Sequence, residues 1–283
     1  MKVMLTHNQG INRSCVFTQA QFDRFAALSG DDNPIHVDPA FAARTKFGRT
    51  VAHGMFLYAN IARELGALLP GTIQLEQELM FSAPTFAGEE VWLHLQADES
   101  PAAGLARLAT HVVKPDGSFG CQGSALLQMP GGAPPAAPLA RIVAGPDWKG
   151  LRVGQEAVME RTYTRADLAE YLDLLADRNP LYTDPAVVEG LGLRGTPLPG
   201  PLLGALFSCI LGTRLPGRGT NWLKQRFVFH NPAYPGQKLT GRVQIVRLRP
   251  DKELVNLRTW ITTVDGKLIC DGEALVWVSD LEQ

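Results

Sequence analysis

A carboxylate, an amide and an imidazole fall within six residues of one another in Leu28-Ser-Gly-Asp31-Asp-Asn33-Pro-Ile-His36-Val-Asp38-Pro39. Gly30 and Pro34 both force a chain out of a helix, so Asp31, Asn33 and His36 are expected on a tight, irregular loop. These residue types suit the handling of one water molecule. A carboxylate and an imidazole take or give protons, and an amide orients. Histidine is the side chain whose charge changes most readily near neutral pH. Turns also select Asp and Asn for their own geometry, so an isolated pair of this kind is more often structural.

A second candidate lies at His53-Gly54, which opens the apolar run Met55, Phe56, Leu57, Ala59, Ile61, Ala62, Leu65 and Leu68. The start of a helix leaves backbone N–H groups free at its positive end, where a developing oxyanion can be held. Gly54 would serve close helix–sheet packing equally well, and both uses stand. Arg44, Lys46 and Arg49 follow the loop. They could meet phosphates, although charges on a short exposed helix are usually only solvated. Trp222, Phe227, Phe229 and Tyr234 alternate imperfectly along a strand and read as core. No glycine-rich nucleotide loop, nucleophile elbow or metal-ligand spacing is present.

The elements that must position these groups occur twice. Phe17-Thr18 and Tyr163-Thr164 open two segments that keep a spacing of 146 residues. Asp31, Asn33, Pro34, Asp38 and Pro39 recur as Asp177, Asn179, Pro180, Asp184 and Pro185. Gly54, Leu57, Leu65 and Gly66 recur as Gly200, Leu203, Leu211 and Gly212. After a two-residue insertion, Phe81, Pro84 and Gly88 reappear as Phe229, Pro232 and Gly236. A register held this long marks a duplication. The reading is an N-terminal domain over 1–130, a Pro/Ala-rich linker over 131–150 and a second copy over 151–283.

Each copy predicts a strand (about 11–17 and 156–163) and then a helix capped by Thr18 or Thr164. In the first copy Gly30 ends that helix, and a short helix follows Asp38-Pro39. The next helix is apolar around most of its circumference, which implies burial. Strand-like runs follow at 73–82, 90–98, 105–114 and 118–129. One buried helix before a run of antiparallel strands is an α+β layer arrangement. The copies differ where chemistry was suspected: Tyr182 stands for His36 and Pro199 for His53. Of six histidines only His230 lies in the second half.

Composition narrows the function classes. At 283 residues and 45% hydrophobic content, two ordinary cores can be buried. A net charge of −1 gives no basic field for nucleic acid or an anionic membrane. Cys15, Cys121, Cys209 and Cys270 form no CxxC pair, which suits a reducing cytoplasm. Residues 1–20 lack the apolar run of a signal peptide, and no helical run is long enough to span a bilayer.

The run from Ser29 to Pro39, followed by Ala52-His53-Gly54-Met55, resembles the hydratase 2 motif of MaoC-like (R)-specific enoyl-CoA hydratases. Phe81-Ser-Ala-Pro84 with Gly88 resembles a further element of that family. The resemblance implies two tandem hot-dog domains forming a pseudo-dimer, each an antiparallel sheet wrapped around a central helix. It also implies syn addition of water to a 2-enoyl-CoA thioester, giving an (R)-3-hydroxyacyl product. By the same resemblance Asp31 and His36 would activate the water and Asn33 would help position it. The Gly54 N–H would face the thioester oxygen, with His53 in a supporting role. No separate cofactor is implied, since CoA is part of the substrate. The second half would lend walls and room for the acyl tail. The competent half of eukaryotic double-hot-dog relatives is generally the C-terminal one, so the order here is reversed. A homodimer of the whole chain stays open. The competing readings are a hot-dog acyl-CoA thioesterase, for which Glu64 is the acid on the central helix, and a non-catalytic acyl-thioester binding protein.

Overall fold

The computed structural model describes residues 10–98, 104–128 and 141–281. The proline-rich stretch from Pro130 to Pro138, on which the linker expectation rests, lies outside them. The first half runs β1 (Gly10–Val16), α1 (Gln19–Ser29), α2 (Pro34–Val37), α3 (Pro39–Ala42), α4 (Gly54–Leu68), β2 (Ile73–Met80), β3 (Glu90–Ala97), β4 (Leu105–Val113) and β5 (Phe119–Gln128). The second repeats that order: β6 (Glu156–Thr162), α5 (Arg165–Leu175), α6 (Pro180–Thr183), α7 (Pro185–Gly190), α8 (Gly200–Thr213), β7 (Asn221–Phe229), β8 (Lys238–Arg249), β9 (Leu254–Thr263) and β10 (Leu268–Trp277).

Local chemistry explains the boundaries. Thr18 and Gln21 form a reciprocal capping box at the start of α1, and Thr164 with Asp167 does the same for α5. Gly30 leaves α1 at φ 78°, and Ala176 takes the corresponding left-handed turn at φ 49°. Pro34 departs from the expected loop. It starts the single helical turn α2 from the first position, where a missing N–H costs nothing, and His36 therefore sits on a helical turn.

All strand pairs are antiparallel and join one ten-stranded sheet in the order β1-β3-β4-β5-β2-β7-β10-β9-β8-β6. The halves meet at the sheet centre, where β2 pairs with β7 from Glu76↔Val228 to Met80↔Lys224. Residues of β4 and β9 alternate between buried and partly exposed, so one sheet face is turned inward. Against that face lie α4 and α8, packed on each other. This is the expected double hot-dog. Charges stitch the halves near α1 and α5: Arg24 bonds Glu170 and Asp173, each at 2.8 Å. Arg161 donates to the Leu28 carbonyl at 2.9 Å and Arg63 to the Leu175 carbonyl at 3.0 Å. Of the expected linker, Val143 N–H reaches the Val246 carbonyl at 2.8 Å, so that part lies along β8.

The equivalent helix glycines are not equally crowded. A Cβ on Gly66 would lie 2.3 Å from Asn179 Nδ2, whereas one on Gly212 would lie 3.6 Å from Asn33 Nδ2. Gly66→Ala should therefore lower stability by about 1–3 kcal/mol through overpacking. Gly212→Ala should leave stability unchanged or raise it by up to about 1 kcal/mol, the helix preference for Ala over Gly. Urea midpoints of the two variants check this, and equal losses would refute it.

Candidate functional site

Asp31 sits one residue beyond the left-handed turn at Gly30 and is 3% exposed. Its Oδ2 accepts a hydrogen bond from Ser208 Oγ at 2.5 Å, and its buried Oδ1 has no partner. The carbonyl of Asp31 lies 2.9 Å from His53 Nε2. A carbonyl only accepts, so His53 carries its hydrogen on Nε2 and keeps a lone pair on Nδ1, which is buried and unpartnered. The same logic fixes His36. Its Nδ1 lies 2.8 Å from the Val51 carbonyl, which leaves the lone pair on Nε2. The two rings stack with centroids 3.8 Å apart and 29° between their planes.

Burial holds both imidazoles neutral. It pushes the His36 pKa below its usual value, with Asp31 opposing. Burial likewise lowers His53, and the neighbouring His36 adds to the effect, bringing it down to about 3. Asn33 serves α2 as its cap, accepting from Ile35 N–H at 3.3 Å, and Asn179 caps α6 in the same way at 3.0 Å. Gln19 steadies α2 from outside, donating to the His36 carbonyl at 2.9 Å.

Asp31, Asn33, His36 and Gly54 line one cavity of about 290 Å³, whose walls come from both halves: Phe81 from the first, and Ser208, Trp222 and Trp277 from the second. His53 lies behind it, fully buried. The Gly54 N–H, at the start of α4, makes no hydrogen bond among the described residues. A Cβ there would lie 2.6 Å from the Phe81 ring, and one on Gly200 would lie 2.8 Å from Phe229, so both copies need glycine for packing. Of the three cations after the motif, Lys46 alone lines the cavity, 2.7 Å from Asp280 and 3.9 Å above Trp277. Arg44 turns back to the Ala40 carbonyl and Arg49 lies over Phe86.

The structure adds one residue to the site and settles two sequence readings. Ser208 escaped the sequence argument because it comes from the opposite half. Its signal was the register, which pairs Ser208 with Ala62, a further position where the copies differ chemically. Phe227 is fully buried core as expected, whereas Trp222 and Phe229 pack against the core only in part and line the first and a second cavity, and Tyr234 is half-buried beneath Arg194. Glu64, by contrast, is 1% exposed, paired with Arg63 at 2.6 Å and Arg13 at 3.3 Å, and lines neither cavity.

Asp31, His36 and His53 each offer a ligating atom within 4.8 Å of the others, a cluster that linear spacing does not reveal. A metal shared by two imidazoles must lie near both ring planes. Stacked rings aim their lone pairs side by side, which suits two acceptors for a water or proton better than two ligands of one ion.

In the second copy Asp177 is buried and accepts from the Asn179 N–H at 2.9 Å. Burial raises its pKa, Tyr182 and Pro199 replace the imidazoles, and Ala62 offers no hydroxyl.

Known proteins resemble the chain in family and in fold. Residues 5–107 match the MaoC-like domain. Over 128 residues the chain is 38% identical to an (R)-specific enoyl-CoA hydratase of Aeromonas caviae, covering 45% of this chain and 96% of that one. A solved MaoC-like dehydratase superposes with a TM-score of 0.76 at 18% identity, covering 96% of this chain and 98% of the other. A Mycobacterium tuberculosis protein described as a double hot-dog does so with a TM-score of 0.74 at 14% identity, covering 96% of each chain. These two likenesses show the fold. No helix among the described residues is long and apolar enough to cross a membrane.

Two outcomes follow. Ser208→Ala strips the buried Asp31 Oδ2 of its donor and should cost about 1–3 kcal/mol of stability, read by denaturant unfolding. The second concerns pH. His53 titrates lower folded than unfolded, so its neutral form stabilises fully above about pH 6.5. That contribution drains as pH falls from 6.5 toward 3. His53→Asn should flatten the loss of Tm between pH 7.5 and 5, and an unchanged slope would contradict the assignment.

Proposed function

The chain belongs to the MaoC-like domain family, and from that premise we propose that its N-terminal half adds water to a 2-enoyl-CoA thioester, or removes it from the (R)-3-hydroxyacyl product. The observation that carries this reading is the buried, unpartnered Oδ1 of Asp31 beside a His36 whose Nε2 lone pair is free, both lining one cavity. A water held between them finds one oxygen and one nitrogen acceptor, and Ser208 keeps the carboxylate from turning.

In the proposed reaction the water gives a proton to the Asp31/His36 pair as its oxygen bonds C3. The C2–C3 π electrons move into the thioester, and the negative charge that gathers on its oxygen faces the free Gly54 N–H. The proton then returns to C2, so substrate plus water equals product and no redox partner or separate cofactor is needed. Neutral imidazoles favour this step, because a protonated ring could not accept from water. His53 fixes the backbone of Asp31 through its carbonyl and so positions the carboxylate. Asn33 acts through the α2 cap, holding His36 in place. The carrier end of the thioester leaves past Lys46 and Trp277.

A thioesterase reading needs a carboxylate on the central helix facing the substrate, and the ion-paired Glu64 does not supply one. Four free cysteines, three of them buried, support a reducing cytoplasmic setting.

A panel of enoyl-CoA thioesters, followed by loss of the conjugated chromophore with chiral analysis of the product, tests the proposal. Asp31→Asn and His36→Ala should each lower kcat by about 100- to 10,000-fold with folding intact. Asp177→Asn should leave turnover unchanged. Near-normal rates in His36→Ala would sink the assignment.

A further inference from the structure

The second copy has lost the water-handling pair and kept a cavity. About 220 Å³ in volume, it is shaped by Leu65, Leu181, Leu198, Leu203 and Phe229, and its lining shares no residue with the first. Its polar groups are not remnants of the first site. Where the first copy has Ser82 bonded to Gln122 at 2.9 Å, the second has His230 bonded to Asp271 at 2.9 Å. Asp271 is buried, and His230, a third exposed, lines the cavity. The only histidine of this half has thus appeared at a new position, braced by a new carboxylate.

The geometry points to the second cavity as a separate binding site for an aliphatic carboxylic acid free of any nucleotide carrier, its headgroup held by His230.

Four features select that class. The walls are apolar along most of their extent, which suits a hydrocarbon chain. No Asp, Glu, Lys or Arg is among the lining residues, so nothing there matches an amine or a CoA phosphate. The cavity also lacks a counterpart of Lys46: Arg44, Lys46 and Arg49 are replaced in register by Gly190, Gly192 and Gly195. Asp271 can only accept, so His230 carries a hydrogen on Nε2 and leaves Nδ1 for a ligand. An alkanoate binds together with one proton taken from solvent onto Nδ1, so that the ring lies between two carboxylates, one from the protein and one from the ligand. Tyr182 lines the same cavity, and its hydroxyl makes no hydrogen bond among the described residues. Burial raises its pKa, which keeps it a donor. The positions of His36 and His53 carry Tyr182 and Pro199 here, so the water-handling pair of the first cavity has no counterpart.

The test uses the full chain and decanoate, followed by titration calorimetry and by NMR of carboxyl-labelled decanoate. One decanoate should bind per chain. Binding should be unaffected by His36→Ala and by saturating crotonyl-CoA added to that variant. His230→Ala should weaken it by about tenfold or more, the loss of one charge-assisted hydrogen bond. Ala62→Leu, which narrows the cavity from α4, should weaken it comparably should His230→Ala fail to fold. Hydration of crotonyl-CoA should be unchanged in both variants. Loss of decanoate binding in His36→Ala, or its displacement by crotonyl-CoA, would place the acid in the first cavity and overturn the inference. So would decanoate binding that ignores both His230→Ala and Ala62→Leu. If decanoate does not bind and the same two variants raise KM only for long-chain enoyl-CoA, the cavity is a tail subsite and the inference also fails.

Discussion

The packing of α4 against α8 is the constraint on which the rest of the structure depends. Each helix is too apolar to face water, and α8 buries every residue from Pro201 to Leu211. Neither can be covered by its own half of the sheet alone, so the two cover each other at the centre of a continuous ten-stranded sheet. That contact places the middle of one helix beside the chemical loop of the other half. Asp31 is buried at the end of α1 only because Ser208 arrives from α8 to satisfy one of its oxygens. Trp222 and Trp277 complete the same cavity from the second half. A half without these residues would leave an incomplete site, which explains why a copy lacking counterparts of His36 and His53 is retained.

Burial then does chemical work. A carboxylate oxygen left without a donor is expensive in a dry site, and so is a buried imidazole nitrogen with no partner. The first site holds both, at Asp31 Oδ1 and His53 Nδ1. Backbone carbonyls at Asp31 and Val51 fix the tautomers, so both rings turn their lone pairs away from those contacts. The stacked rings cannot both be protonated cheaply, because like charges at 3.8 Å would repel in a low-dielectric site. The arrangement is therefore strained toward accepting one hydrogen-bond donor, and a water is the smallest molecule that fits.

Much of this architecture can be read from the chain because it rests on local chemistry. Capping boxes at Thr18 and Thr164, the turn at Gly30, and proline after Asp38 and Asp184 leave marks within a few residues. The register of the duplication also exposes Tyr182 and Pro199 as departures. What stays hidden is what the fold brings from afar. Ser208 lies 177 positions from the oxygen it serves, and His36 meets His53 only after α2 folds back beside the start of α4. Pro34 misleads for a different reason: the rule that proline ends a helix also permits it to begin one, and only the cap supplied by Asn33 decides between them. Periodicity likewise separates inward from outward on a strand, but not core from cavity wall. Phe227 and Phe229 share a face, yet one is core and the other lines a cavity.

Comparing the copies position by position separates what the scaffold needs from what chemistry needs. The Asp-x-Asn-Pro turn survives in both halves because Asn33 and Asn179 each cap a helical turn, whatever follows. Gly54 and Gly200 survive because aromatic rings press on them. Positions with no such duty have diverged: His36 against Tyr182, His53 against Pro199, Ser208 against Ala62 and Ser82 against His230. Three of these four changes remove a group that serves water handling in the first cavity. The fourth runs the other way and carries an imidazole with a buried carboxylate behind it. Decay alone removes groups and has no reason to install a paired one, so the second cavity has been remodelled rather than abandoned.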